Sequence, residues 1–163
     1  MSTFVLIHGA SHGGCCCYKI VPLLEKKGHT VVAPDLPSHG RDKTPLSAVS
    51  LQAYVDRVCQ VLDAQREPVI LVGHSMGGAI ITQVAEYRPA QIKTLVYITA
   101  LLLKNGEAIL PVFQQDTESF VLPRAEISAD QSVMTFPEAI LKEAFYADCT
   151  EEDVALAKLL LVP

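Results

Sequence analysis

A surplus of positive charge is missing from this chain: 13 Lys and Arg stand against 18 Asp and Glu, a net charge of −5, and the basic residues form no stripe. That balance speaks against nucleic acid or an anionic membrane as a partner. Long apolar runs are missing too. Phe4 to Ile7 is too short for the apolar region of a signal peptide and has no basic lead-in, and nothing reaches membrane-spanning length. A disulfide framework is equally absent, because the five cysteines are odd in number and three are adjacent, at Cys15, Cys16 and Cys17. A reducing cytoplasm is the expected setting. What is present is 163 residues, half of them apolar, enough for one globular domain that buries roughly two-thirds of its unfolded surface.

Phe4 to Ile7, Thr30 to Ala33, Val69 to Val72 and Thr94 to Thr99 are β-rich apolar runs that barely alternate. Strands covered on both faces of a parallel sheet read this way. Between them lie helical patterns: Ile20, Val21, Leu23 and Leu24 with Gly28 as a stop, and Leu51, Tyr54, Val55, Val58 and Leu62 behind Ser50 as a cap. A third runs through Ala79, Ile80, Ile81 and Val84. Three alternations of strand and helix predict right-handed βαβ units. After Ala100 no further strand with a crossover is expected; Phe136 to Tyr146 and Thr150 to Leu161 read as helices, the second opened by Thr150 and Asp153 as a variant capping box. The expected division is 1–102 as the N-terminal part of the core and 103–163 as a helical lid.

Chemistry concentrates at Gly73-His74-Ser75-Met76-Gly77. A nucleophilic serine at the C-terminal edge of a strand needs a turn so tight that its neighbours lack side chains, and Gly73 and Gly77 supply that clearance. The motif follows the apolar run ending at Val72 and opens an apolar helix, the context a nucleophile elbow requires. The tetrahedral intermediate then needs two preorganised donors. The amide of Met76, just after Ser75, and that of Ala10, in the His8-Gly9-Ala10 loop after the first strand, fill those places. His8 is expected to brace its loop, and His39 also reads as structural. His8 and His12 with the three cysteines do not make a metal site: three consecutive cysteines cannot easily converge on one tetrahedral ion, and Cys-x-x-Cys spacing is absent. The cysteines read instead as small apolar side chains entering a helix packed on the sheet.

Val5-Leu6-Ile7-His8-Gly9-Ala10, Tyr18-Lys19, Asp35-Leu36-Pro37 and Gly73-His74-Ser75-Met76-Gly77-Gly78 together resemble the methylesterase and hydroxynitrile lyase family of α/β-hydrolases, and Glu151 to Ala157 resembles that family's lid helix. The resemblance implies the α/β-hydrolase fold, a parallel sheet with helices on both faces plus a helical lid. It also implies cofactor-free chemistry on Ser75, with Ala10 and Met76 as oxyanion donors and His8, Gly9, Gly73, His74 and Gly77 in support. Lyases of this family tend to carry threonine after the loop histidine and esterases glycine; this chain has Gly9, which favours hydrolysis of small, apolar esters.

Two departures stand out. Cys15-Cys16-Cys17 replaces the family's tryptophans around a small residue, and the chain has no tryptophan at all, so unfilled voids would cost about 3 to 5 kcal/mol each. More seriously, such enzymes order their triad serine, acid, histidine, yet no histidine follows His74, and the site where some relatives place the acid reads Thr99-Ala100. Loss of the histidine costs a serine hydrolase on the order of 10⁶ in turnover, so residues 1–163 alone should be nearly inert. The expectation is a longer protein whose C-terminal strands and helices carry the acid and histidine. The remaining alternatives are a non-catalytic module that binds small ligands, and a hydroxynitrile lyase. A complementary C-terminal segment or a homodimer partner is the expected macromolecular contact, since the last strand would otherwise leave an unpaired apolar edge.

Overall fold

The computed structural model describes residues 1–130 and 132–163. They divide into two compact units, Met1–Leu102 and Leu103–Pro163. The first unit is built on four parallel strands, β1 (Thr3–Ile7), β2 (Thr30–Val32), β3 (Val69–His74) and β4 (Ile92–Ile98), in the order β2-β1-β3-β4. The connecting helices are α1 (Ile20–Lys26), α2 (Leu51–Asp63) and α3 (Met76–Tyr87). From β1 the chain steps one way to β2, then reverses through β3 to β4. Right-handed crossovers running in opposite directions place their helices on opposite faces, so α1 covers one face and α2 and α3 the other. The order reverses at β1 and β3, and ligands of open α/β sheets bind outside the carboxyl ends of strands at such a switch point.

The apolar runs of β1 and β3 become strands because most of their side chains are buried in the middle of the sheet. Val5 and Ile7 of β1 and Val69 and Leu71 of β3 pack with Val55, Val58 and Leu62 of α2 and Ile80, Ile81 and Val84 of α3 into one core. α2 starts where Ser50 Oγ accepts a hydrogen bond from the Ala53 amide at 3.1 Å, satisfying a first-turn donor. The flanking strands differ from expectation. No residue of β2 or β4 is buried, and among the described residues each pairs on one side only.

A second correction concerns the cysteines. Cys15, Cys16 and Cys17 form a short 3₁₀ turn (Gly14–Cys17) ahead of α1; none is buried, and Cys16 is exposed. Having no buried member, the turn fills no core position.

The second unit contains α4 (Ile109–Phe113), a hairpin of β5 (Glu126–Ile127) and β6 (Met134–Thr135), α5 (Glu138–Phe145) and α6 (Glu151–Leu160). The expected cap of α6 is present: Thr150 Oγ1 accepts from the Asp153 amide, and the Asp153 carboxylate accepts in return from Thr150. Lys142 pairs with Glu151, and Lys158 with Glu138, tying α5 to α6. Among the described residues no helix is long and apolar enough to cross a membrane.

Candidate active site

The turn between β3 and α3 is held by close backbone approach. A Cβ on Gly73 would lie 2.7 Å from the Gly77 carbonyl oxygen, and one on Gly77 would lie 2.6 Å from that of Ile7. Neither position admits a side chain. Between them Ser75 adopts φ 52° and ψ −122°, a conformation L residues rarely take. Such a backbone costs on the order of 1–3 kcal/mol and persists only when its surroundings impose it. Here they do, because the Ser75 carbonyl accepts from the Gly78 and Leu101 amides, both at 3.0 Å. Ser75 stands at the N-terminus of α3 but its side chain caps nothing, leaving the hydroxyl uncommitted to the helix.

The loop after β1 lies directly against this turn. A Cβ on Gly9 would come within 2.9 Å of the Ser75 Cβ and 3.2 Å of His74 Nδ1. The structure thus brings Gly9, His74 and Ser75 together. Met76 is the first residue of α3, so its amide is one of the donors that a helix leaves without an internal partner. Ala10 follows Gly9 and is exposed at the same edge.

His8 is fully buried, and its ring is spoken for on both sides. The Leu36 amide donates to Nε2 at 3.1 Å, so Nε2 carries a lone pair and the proton sits on Nδ1, which donates to the Gly9 carbonyl at 2.8 Å. Burial is the main reason its pKa falls to about 4; the charges of His39 and His12 add to the depression, and the Gly9 bond opposes it. His8 is a neutral strut at neutral pH. His39 continues the brace: Nδ1 bonds to the Pro37 carbonyl at 3.0 Å, and its ring lies 5.2 Å from that of His8 and 5.7 Å from that of Tyr54. His74 is exposed on the rim, its pKa lowered by partial burial and then by His12.

Sequence reasoning missed two supports. Asp35 holds the loops after β1 and β2 together, its carboxylate accepting from the Gly14 amide at 2.7 Å and the Arg41 amide at 3.0 Å. The signal for it was the glycines at 13 and 40, where a Cβ would sit 2.7 and 2.3 Å from the Asp35 Oδ1. Tyr97 is the second. Thr82 Oγ1 donates to the Gly78 carbonyl at 2.8 Å, which leaves the Tyr97 hydroxyl to donate to Thr82, also at 2.8 Å, pinning α3 to β4. Among the described residues no three His, Cys, Asp or Glu side chains are grouped to hold a metal ion.

Comparison with known proteins adds a family to this geometry. The model of the alpha/beta hydrolase family matches residues 4–161. A pyrethroid hydrolase from Sphingobium wenxiniae is 40% identical over 124 residues, covering 76% of this chain and 41% of that protein. An alpha-hydroxynitrile lyase from Arabidopsis thaliana is 35% identical over 167 residues, covering 96% of this chain and 65% of the relative. The crystal structure of the Arabidopsis methylesterase MES16 superposes with a TM-score of 0.83 at 25% identity, covering all of this chain and 66% of that one. The chain spans between 39% and 66% of the lengths of the curated relatives it matches. A strained serine between glycines on a parallel sheet, together with a family match over almost the whole chain, places this protein in the alpha/beta hydrolase family.

Proposed function

We propose that the whole protein is a serine carboxylic-ester hydrolase acting on small, apolar esters, with Ser75 as its nucleophile. The observation that carries this reading is the backbone of Ser75 at φ 52°, held between Gly73 and Gly77 with Gly9 against its Cβ. In this mechanism Ser75 Oγ attacks the ester carbonyl, and the oxyanion is received by the amides of Ala10 and Met76. No cofactor is needed. A base must take the Ser75 proton, and His8 cannot, since its Nε2 lone pair is used by the Leu36 amide. The acid and histidine are assigned to residues outside 1–163, and 103–163 to a helical lid region.

Gly9 favours hydrolysis over cyanohydrin cleavage. A threonine at that position would have to place its Cβ in space already taken by Ser75 and His74. The test is Ser75→Ala in the whole protein, with circular dichroism to verify folding. Turnover of small methyl and nitrophenyl esters should drop by roughly 10⁶, together with loss of phosphonate labelling. Unchanged ester turnover overturns the assignment; release of cyanide from small cyanohydrins without ester hydrolysis would replace it with a lyase. Stoichiometric ester binding without turnover in the whole protein would make it a binding module.

A further inference from the structure

The Cys15-Cys16-Cys17 turn has no part in the chemistry above, yet it is rigidly built. The Gly14 amide is anchored on Asp35, a Cβ on Gly14 would lie 2.2 Å from the Ala33 carbonyl oxygen, and the amides of Cys16 and Tyr18 close the turn onto Gly13 and Cys15, each at 3.1 Å. On this frame Cys16 is exposed and Cys17 half-buried, and their sulfurs lie 3.9 Å apart. Two thiols this close have three uses. A disulfide fits poorly, because neighbouring residues have Cα atoms about 3.8 Å apart, below the range of about 4.4 to 6.8 Å that unstrained bridges span. A tetrahedral ion fits no better, since among the described residues the further ligands are not grouped there. An atom about 2.3 Å from each sulfur, by contrast, would see the two at an angle of about 116° given their 3.9 Å separation, close to that of a three-coordinate ion. Thiolate ligands select soft ions.

We propose that Cys16 and Cys17 form a two-thiolate site for a soft, thiophilic ion of the monovalent copper class, with the third position open to a small thiol or water. Binding exchanges two thiol protons for one Cu⁺, leaving a bis-thiolate complex of charge −1 and two protons in solution. Three consecutive cysteines cannot easily converge on one tetrahedral ion, but this arrangement uses two and asks for lower coordination.

The experiment is an anaerobic titration of the full chain with Cu(I) against bathocuproine disulfonate, in a phosphine reductant. One equivalent should be held by the wild type, and Cys16→Ser and Cys17→Ser should each weaken it by more than roughly 100-fold, since even outer-shell partners cost 10 to 100-fold. Cys59→Ser and Cys149→Ser should leave it intact. Neither Cys16 nor Cys17 is buried, so serine should be tolerated, and circular dichroism verifies this. Equal affinity in Cys17→Ser, or loss in Cys149→Ser instead, overturns the proposal. Phenylarsine oxide gives a second readout, condensing with two thiols to a cyclic dithioarsonite and one water. Its adduct should map to the Cys16-Cys17 peptide, and an adduct elsewhere, or none, counts against the site.

Discussion

The two faces of the sheet are packed very differently. On one, α2 buries Val55, Val58, Cys59, Val61 and Leu62, and α3 buries Ile80, Ile81 and Val84 against the same strands. On the other, α1 buries nothing, and Ile20 and Leu23 remain 50% and 58% exposed. All three helices carry apolar side chains in the sequence. An apolar stripe therefore states what a helix wants to bury, while the number of neighbours decides what it does bury. The stability of residues 1–102 should reside almost entirely on the α2 and α3 side.

The sharpest way to break this contrast is Leu62→Ala, which deletes a fully buried side chain between α2 and the sheet. It should cost about 2 to 5 kcal/mol in denaturant unfolding. Acid probes the same face, because His8 packs against His39, whose ring meets Tyr54 of α2 edge to face. The folded state keeps His8 neutral down to about pH 4, whereas its unfolded value is 6.5, so the unfolded chain takes up the proton first. Stability should be full above about pH 6.5 and decline as pH falls toward 4, by about 3 kcal/mol at most. A melting temperature unchanged between pH 7 and 4.5 would refute the buried neutral strut.

Helix starts give a finer comparison. Ser50→Ala removes the cap of α2 and should cost about 1 kcal/mol, while the start of α1 has no side-chain cap hydrogen bond to lose. Least of all should come from Leu23→Ala on α1, within about 0.5 kcal/mol by chemical denaturation. A loss as large as that of Leu62→Ala would show that α1 is covered in solution.

Legibility in the sequence follows the same physical division. β1, β3, α2 and α3 were readable because continuous burial demands continuous apolar sequence, and the tight turn around Ser75 was readable because Gly73 and Gly77 have no room for a Cβ. Strand β4 was legible as a strand but not as a poorly covered one, since Leu95, Val96 and Tyr97 look the same in either setting. Helix α4, with five residues, and the β5-β6 hairpin, with two residues a side, are too short to show a period. The bracing role of Asp35 was not legible because its partners are backbone amides, which carry no signature in side-chain identity. The cysteine turn misled for the opposite reason: small sulfur side chains usually signal burial, and here none of the three is buried.

Position 75 sets two kinds of selection against each other. Its left-handed backbone suits glycine better than serine, so a library bred only for soluble yield should drift toward glycine there and gain stability with each such clone. On the role proposed for Ser75, a library bred for turnover should hold serine and tolerate the penalty. The residue recovered after laboratory evolution would thus record which pressure was applied, making this one codon an internal gauge of whether a variant pool is still being selected for chemistry.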